Sequence, residues 1–260
     1  MWLTLSLALA SVDPRAAEIP DVGALARPAA PRLETVHHPG ADSSTLVVLL
    51  PGLFADAHAL KRRGLVDALR EAGVQADLTA VDAHMGYYAD RSISDRLIAD
   101  VLTPARAQYD QIWLLGISLG GLGGLLTARD APELVDGVML LSPWLGRRAA
   151  VDPVREAGGL AAWDGAPGPE APWERSLWAW LREEHHNGWP SAEVHLGYGH
   201  RDLVVINHHT LAAGLEDSRV TPISGGHAWS TWRTLAREMV ARLDEAHPLL
   251  SAASRSEGAP

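Results

Sequence analysis

Ser118 lies in the stretch Gly116-Ile117-Ser118-Leu119-Gly120, which has the G-x-S-x-G pattern of a nucleophile elbow. An apolar run at residues 112–115 precedes it and a segment rich in small residues follows it, so the sequence predicts a strand that turns directly into a helix. Such a turn strains the serine backbone and exposes its hydroxyl at the carboxyl end of a sheet. The pattern therefore predicts Ser118 as a nucleophile. The alternative is a Gly-rich turn for phosphate, although the Lys-Ser/Thr of a P-loop and a G-x-G-x-x-G arrangement are both absent here.

The residues that would activate this serine follow later in the chain. A serine hydroxyl is a weak nucleophile unless a base takes its proton and a third group orients that base. Asp202 follows a predicted strand at 194–198, and His227 follows the next strand, directly after two glycines. The order serine, acid, histidine is the one expected after an elbow of this kind, so Ser118, Asp202 and His227 are the predicted catalytic residues. The competing interpretations are a helix N-cap for Asp202 and an ordinary capping or core role for His227.

Backbone N–H groups near the serine are candidates for an oxyanion hole, which binds the negative oxygen of a tetrahedral intermediate. One donor is expected from Leu119, the residue after the nucleophile. The second is expected from the loop 51–54, which follows an apolar strand. Within that loop Leu53 is the first candidate and Phe54 the second.

The loop at residues 82–88 follows the third predicted strand, so it should reach the same end of the sheet as the serine. His84, Tyr87 and Tyr88 are therefore candidates for substrate contact. The alternative is a polar loop with two tyrosines at its rim, and the sequence favours neither interpretation.

Short apolar runs alternate with helical patterns along the chain, which predicts an α/β fold with a mostly parallel sheet and helices on both faces. The predicted strands are 33–38, 45–50, 76–81, 112–115, 137–141, 194–198 and 220–223. The predicted helices are 59–72, 92–108 with a break at Pro104, the segment after Ser118, and one from about 228 to 248. The run at 45–50 lacks polar–apolar alternation, as expected for a strand that is buried on both faces.

One long segment, residues 144–190, interrupts this rhythm and holds six of the ten tryptophans. It includes a predicted helical piece at about 173–184. Long segments between strands of a compact domain are usually functional, so we predict a lid over the pocket. The alternative is a surface segment whose tryptophans only pack it against the rest of the domain.

The composition limits the classes of partner. The chain has 260 residues and a net charge of −10, with no basic run longer than residues 61–63, which argues against a nucleic-acid partner. There is no cysteine for a disulfide or a thiolate metal site, and adjacent histidine pairs lack ligand spacing, so no metal is expected. The apolar start is too short to span a membrane.

These observations also suggest the organisation of the chain. We expect one domain at 31–250, preceded by a flexible tail or leader remnant at 1–30 and followed by a tail at 251–260. We expect a cytoplasmic protein, or a periplasmic one if residues 1–10 belong to a leader. The oligomeric state is open.

Across residues 33–247 the chain resembles the α/β-hydrolase fold superfamily, and its Gly-Gly-His-Ala-Trp at 225–229 resembles bacterial esterase-like serine hydrolases. It departs from the commoner His-Gly oxyanion motif with Pro51-Gly52, which leaves the second oxyanion donor open. The resemblance implies a hydrolase without a cofactor that cleaves carboxylic esters or thioesters through an acyl-enzyme. A tryptophan-bearing lid would favour an apolar acyl or aryl substrate. An acyltransferase or peptidase on the same fold, or a non-catalytic binding protein, are the alternatives.

Overall fold

A seven-stranded sheet forms the centre of the computed structural model, which describes residues 28–41, 44–165, 173–243 and 247–250. The strands are β1 (Thr35–His38), β2 (Thr45–Leu50), β3 (Asp77–Val81), β4 (Gln111–Ile117), β5 (Gly137–Leu141), β6 (Glu193–Gly199) and β7 (Val220–Ile223). Their order across the sheet is β1-β3-β2-β4-β5-β6-β7. β1 pairs antiparallel with β3, whereas the other described pairs are parallel. The predicted α/β class with a mostly parallel sheet is confirmed.

Helices cover both faces of this sheet. They are α1 (Ala57–Arg62), α2 (Leu65–Glu71), α3 (Met85–Ala89), α4 (Ile93–Leu97), α5 (Thr103–Arg106), α6 (Leu119–Asp130), α7 (Arg148–Glu156), α8 (Trp173–Asn187), α9 (Val205–Ala212) and α10 (Trp229–Val240). Val48 and Leu50 of β2 belong to an apolar cluster with α4, α6 and α8, whereas Val47 and Leu49 belong to a second cluster with α2 and α10. Successive side chains of a strand point to opposite faces, which explains why the run in β2 is apolar throughout.

Three predicted helices differ from the structure. The helix predicted from about 228 to 248 is shorter, because α10 ends at Val240. The single helix predicted at 59–72 is wrong, because α1 and α2 are separated at Gly64, whose φ of +79° is a left-handed conformation that glycine adopts without strain. The break predicted at Pro104 is also wrong. A π-helical turn at Ile98–Leu102 joins α4 to α5 and places Pro104 in the first turn of α5, where a missing N–H costs little.

The carboxyl ends of β2 to β7 meet at one edge of the sheet, because these strands run parallel. The loops that begin there carry, in chain order, Gly52, His84, Ser118, Trp144, Asp202 and His227. The topology alone therefore gathers the predicted site residues at one edge.

The segment 144–190 contributes α7 and α8, of which only α8 was predicted. Its residues 166–172 lie outside the described part of the chain, and so does the side chain of Trp173. Trp178 is completely buried in the main apolar cluster, and its indole N–H donates to the carbonyl oxygen of Leu145 at 2.9 Å. At least this part of α8 therefore belongs to the core, and the lid stays a prediction.

The predicted tails at 1–30 and 251–260 lie outside the described residues, apart from residues 28–30. Within the described ranges, no helix has both the length and the apolar character that crossing a bilayer requires.

Candidate active site

Ser118 occupies the turn between β4 and α6 with φ 51° and ψ −114°. A positive φ is unusual for a residue with a Cβ, and such strain persists only where the surroundings fix the backbone. The two glycines of the motif explain how the turn is tolerated. A Cβ on Gly116 would collide with the carbonyl of Gly120, and one on Gly120 would collide with the carbonyl of Leu50. The sequence folds locally in this way because only glycine fits at both positions.

The structure brings Ser118, His227 and Asp202 into one hydrogen-bonded chain. His227 Nε2 lies 2.9 Å from Ser118 Oγ, and His227 Nδ1 lies 3.0 Å from each carboxylate oxygen of Asp202. Because a carboxylate accepts, Nδ1 carries the proton and Nε2 is left to accept from the serine hydroxyl. Trp232 of α10 packs edge-on against the imidazole, with ring centroids 5.1 Å apart. This arrangement can deprotonate the serine.

The carboxyl group of Asp202 is held in its ionised form. Its side chain is fully buried, and burial alone would raise the pKa of the carboxyl group. The hydrogen bond from His227 and the electrostatic interaction with its ring outweigh burial, and the N–H of Val204, which donates to Asp202 Oδ1 at 3.0 Å, adds to them. The net result is a pKa below the ordinary value, so Asp202 is a carboxylate at neutral pH.

The loops predicted to form the oxyanion hole flank the serine. Leu119 is the first residue of α6, where helical N–H groups lack partners within the helix. Gly52 approaches so closely that an added Cβ would lie 3.3 Å from Ser118 Cβ. Beyond it, Leu53 is half-buried, whereas Phe54 has a φ of +64° and is 56% exposed. Which of these amides would bind an oxyanion stays a prediction.

The loop with His84, Tyr87 and Tyr88 is tied into the fold by local and core contacts. The His84 ring accepts from the N–H of Gly86 at 3.1 Å and so caps α3. Both tyrosines are buried, and the Tyr87 hydroxyl donates to the carbonyl of Arg32 at 3.2 Å. Burial raises the pKa of the Tyr88 hydroxyl. Both tyrosines thus have packing roles, and substrate binding by this loop stays a prediction.

A cluster suited to a metal lies elsewhere in the molecule. Potential ligand atoms of Glu193, His195 and His247 lie within 4.8 Å of one another. His195 Nε2 is 2.6 Å from a Glu193 carboxylate oxygen, and the His247 ring packs edge-on against Trp113. The cluster sits at the amino end of β6, whereas Asp202 follows its carboxyl end, so it is separate from the site around Ser118. The three residues are spread over positions 193–247, so the adjacent histidine pairs on which the expectation of no metal rests do not reveal this cluster.

Two buried polar residues beside the site were not assigned by the sequence analysis. Asn207 and His208 lie in α9, a few residues after Asp202, and both side chains form hydrogen bonds to the loop that follows β5. The sequence offers one signal for them, which is the run of four polar residues at 207–210 in the helix that follows the acid.

Comparison with solved structures identifies the class of fold. A ferulic acid esterase aligns with a TM-score of 0.54 and 10% identity, covering 81% of this chain and 97% of that one. Est1E from Butyrivibrio proteoclasticus, in a structure with ferulic acid bound, aligns at 0.52 and 17%, covering 80% and 92%. S-formylglutathione hydrolase FrmB from Staphylococcus aureus aligns at 0.52 and 13%, covering 78% and 82%. These similarities show that the protein has the α/β-hydrolase fold.

A family model narrows this class. Residues 82–243, more than half of the chain, match the Esterase family ("Putative esterase"). The chain belongs to the Esterase family, and it is a carboxylesterase-like hydrolase. A search of curated proteins finds no match to this sequence.

Proposed function

We propose that this enzyme hydrolyses carboxylic esters through an acyl-enzyme on Ser118, with His227 as general base and Asp202 as the group that orients it. The observation that carries the proposal is the hydrogen-bonded chain from Ser118 Oγ through the His227 ring to Asp202, with links of 2.9 and 3.0 Å. A nucleophile within hydrogen-bond reach of a base, which a third group orients, is the arrangement that activates serine.

The reaction proceeds in two halves. Ser118 Oγ attacks the ester carbonyl carbon while its proton moves to His227 Nε2, and the tetrahedral oxyanion accepts hydrogen bonds from the N–H of Leu119 and of Leu53 or Phe54. The carbon–oxygen bond to the leaving group breaks, and His227 gives that group the proton. Water then attacks the acyl-enzyme with His227 again as base, which releases the carboxylic acid and restores the serine hydroxyl.

Asp202 contributes in both halves without changing its own protonation state. It fixes the tautomer in which Nε2 can accept, and its negative charge stabilises the imidazolium that forms when His227 takes the proton. Its lowered pKa supports this role, because a carboxyl group that is ionised at neutral pH supplies the charge.

The proposed substrate is an ester or thioester with an apolar acyl or aryl group. Trp144, at the start of the segment 144–190, donates its backbone N–H to the carbonyl oxygen of Ser118 at 2.9 Å, and its half-buried side chain packs against the main apolar cluster. Phe54 is the large apolar side chain that the described surface exposes, and it belongs to the loop 51–54, in which Gly52 approaches Ser118 closely. Apolar side chains of this kind favour the uncharged part of a substrate beyond the carbonyl.

A fluorophosphonate probe tests the proposal without knowledge of the substrate, because it reacts with activated serines. We expect stoichiometric labelling of the wild-type enzyme, with the label on the peptide that contains Ser118 by mass spectrometry. The His227→Ala variant should label at least about 10²-fold more slowly, because the serine then lacks its base. Labelling at another serine, or an equal rate in the variant, would contradict the assignment.

The role of the segment 144–190 in substrate preference is tested with a matched pair of substitutions. Trp144→Ala should reduce the preference for butyryl over acetyl p-nitrophenyl esters by up to about tenfold, because each lost methylene contact is worth about 0.8 kcal/mol. Trp189→Ala is the control and should keep the wild-type ratio. The Trp189 indole N–H donates to the carbonyl of Gly214, just after α9, and Trp189 precedes β6 at the opposite edge of the sheet. The ratio of kcat/KM values for the two esters is the measurement. An unchanged ratio in folded Trp144→Ala would assign this residue to packing.

A further inference from the structure

The strained backbone of Ser118 is held by the loop that follows β5, residues 142–145, which we call the support loop. The Ser118 N–H donates to the carbonyl of Leu141, the last residue of β5, at 3.0 Å. In the other direction, the Trp144 N–H donates to the Ser118 carbonyl at 2.9 Å. The Ser118 N–H is therefore bonded to the end of β5 and its carbonyl to the support loop that follows directly, so a shift of this loop would move the serine.

Two buried side chains of α9 hold the support loop in turn. The N–H of Leu145 donates to Asn207 Oδ1 at 2.7 Å, and His208 Nε2 lies 3.0 Å from the carbonyl oxygen of Pro143. Asn207 is 4% exposed and His208 is completely buried. Two hydrogen bonds protected from water thus fasten both ends of the Pro143–Leu145 stretch to one helix.

The same helix starts at the acid loop. The N–H of Val205, the first residue of α9, donates to the backbone carbonyl of Asp202 at 3.3 Å, and the N–H of Val204 donates to the Asp202 carboxylate. Asn207 and His208 come only one turn further on. Helix α9 is therefore bonded to the acid at its beginning and, through the support loop, to the nucleophile.

His208 is suited to a buried place beside these residues because it is neutral. A carbonyl oxygen only accepts, so Nε2 carries the ring proton and donates to Pro143. Burial lowers the pKa of His208 to about 4, so the ring stays uncharged at neutral pH. A cation here would oppose the positive charge that His227 takes up during the reaction.

We propose that Asn207 and His208 are positioning residues, which keep Ser118 Oγ within reach of His227 Nε2 by fastening the support loop to the helix that follows Asp202. The inference rests on the proposed function, since it assumes that Ser118 is the nucleophile. Neither Asn207 nor His208 contacts the substrate in this proposal. They fix the distance between Ser118 Oγ and His227 Nε2, which come from different loops.

Substitution of each side chain tests this inference. His208→Leu and Asn207→Leu each remove one hydrogen bond to the support loop, and each should lower kcat for p-nitrophenyl butyrate by about 10- to 100-fold, because a misplacement of about 1 Å can cost that much. KM should change little, since neither residue contacts substrate. Fluorophosphonate labelling of Ser118 should slow by a similar factor. His208→Gln places a donor near the position of Nε2 and should restore most of the activity.

His209→Leu is the matched control, because His209 is the exposed neighbour of His208 on the same helix, and it should retain the wild-type kcat. Circular dichroism and the thermal midpoint show which variants fold. If either leucine variant fails to fold, Asn207→Thr, which is smaller and polar but too short to reach the N–H of Leu145, decides the question with the same three readouts.

Wild-type kcat and labelling rate in folded variants at 207 and 208 would overturn the inference. So would a His208→Gln variant as slow as His208→Leu, because the bond to Pro143 would then not be the contact that matters. Failure of the proposed function gives a different result. If Ser118 is not the nucleophile, Ser118→Ala keeps its activity. If only the positioning role is wrong, Ser118→Ala is inactive and the variants at 207 and 208 are active.

Discussion

Ser118→Ala is expected to lower kcat for p-nitrophenyl butyrate by at least about 10³-fold while KM changes little. The alanine removes the oxygen that forms the acyl-enzyme but leaves His227, Asp202 and the oxyanion donors in place, so substrate still binds and a small residual rate remains. The fold should be retained, because the turn depends on Gly116 and Gly120, where a Cβ would collide with backbone carbonyls, and not on the serine hydroxyl. Steady-state kinetics together with circular dichroism measure both expectations.

Ser94→Ala is a suitable control for this substitution. Ser94 is also buried, and its Oγ has no hydrogen-bond partner in the described part of the chain, so it takes no part in the hydrogen-bonded chain of Ser118, His227 and Asp202. It should retain the wild-type kcat. Wild-type activity in Ser118→Ala would place the nucleophile elsewhere and refute the elbow interpretation.

Most of the sheet could be predicted from the sequence because its strands are short apolar runs buried on both faces. The predicted bounds of β2, β5 and β7 agree with the structure. Helix breaks were less predictable, since they depend on more than local propensity. Gly64 separates two helices through its left-handed conformation. The π-helical turn at 98–102 places Pro104 in the first turn of α5, so the helical segment continues past the proline without a break.

The serine, acid and histidine of the candidate site could be predicted from the sequence, whereas the residues that surround them could not. The sterics of the elbow depend on five consecutive residues, and the order of serine, acid and histidine follows from the order of the parallel strands. The contacts of Asn207 and His208 join residues 62 and 65 positions apart, and no local pattern encodes them. The same limitation applies to Tyr87 and Tyr88, because spacing does not reveal whether a side chain turns into the core.

Asp202→Asn is expected to have the second large effect, a loss of about 10²- to 10⁴-fold in kcat. Asparagine has nearly the shape of aspartate but lacks its charge. If the new amide group donates to His227 Nδ1, the ring proton must sit on Nε2, and the ring can no longer accept the proton of Ser118. If the amide oxygen accepts from Nδ1 instead, the imidazolium still loses the charge that stabilises it.

Asp152→Asn is the matched control, because Asp152 pairs with Arg148 on α7 and belongs to the same long stretch between β5 and β6 that precedes the acid loop. It should retain the wild-type kcat. In Asp202→Asn, kcat and the fluorophosphonate labelling rate of Ser118 should fall together, with KM little changed, because only the activation of the serine is impaired. Near-wild-type values for Asp202→Asn would show that another carboxylate orients His227. The short distances from Asp202 to Nδ1 argue against that outcome, since both carboxylate oxygens lie 3.0 Å from the ring nitrogen whose proton they must hold.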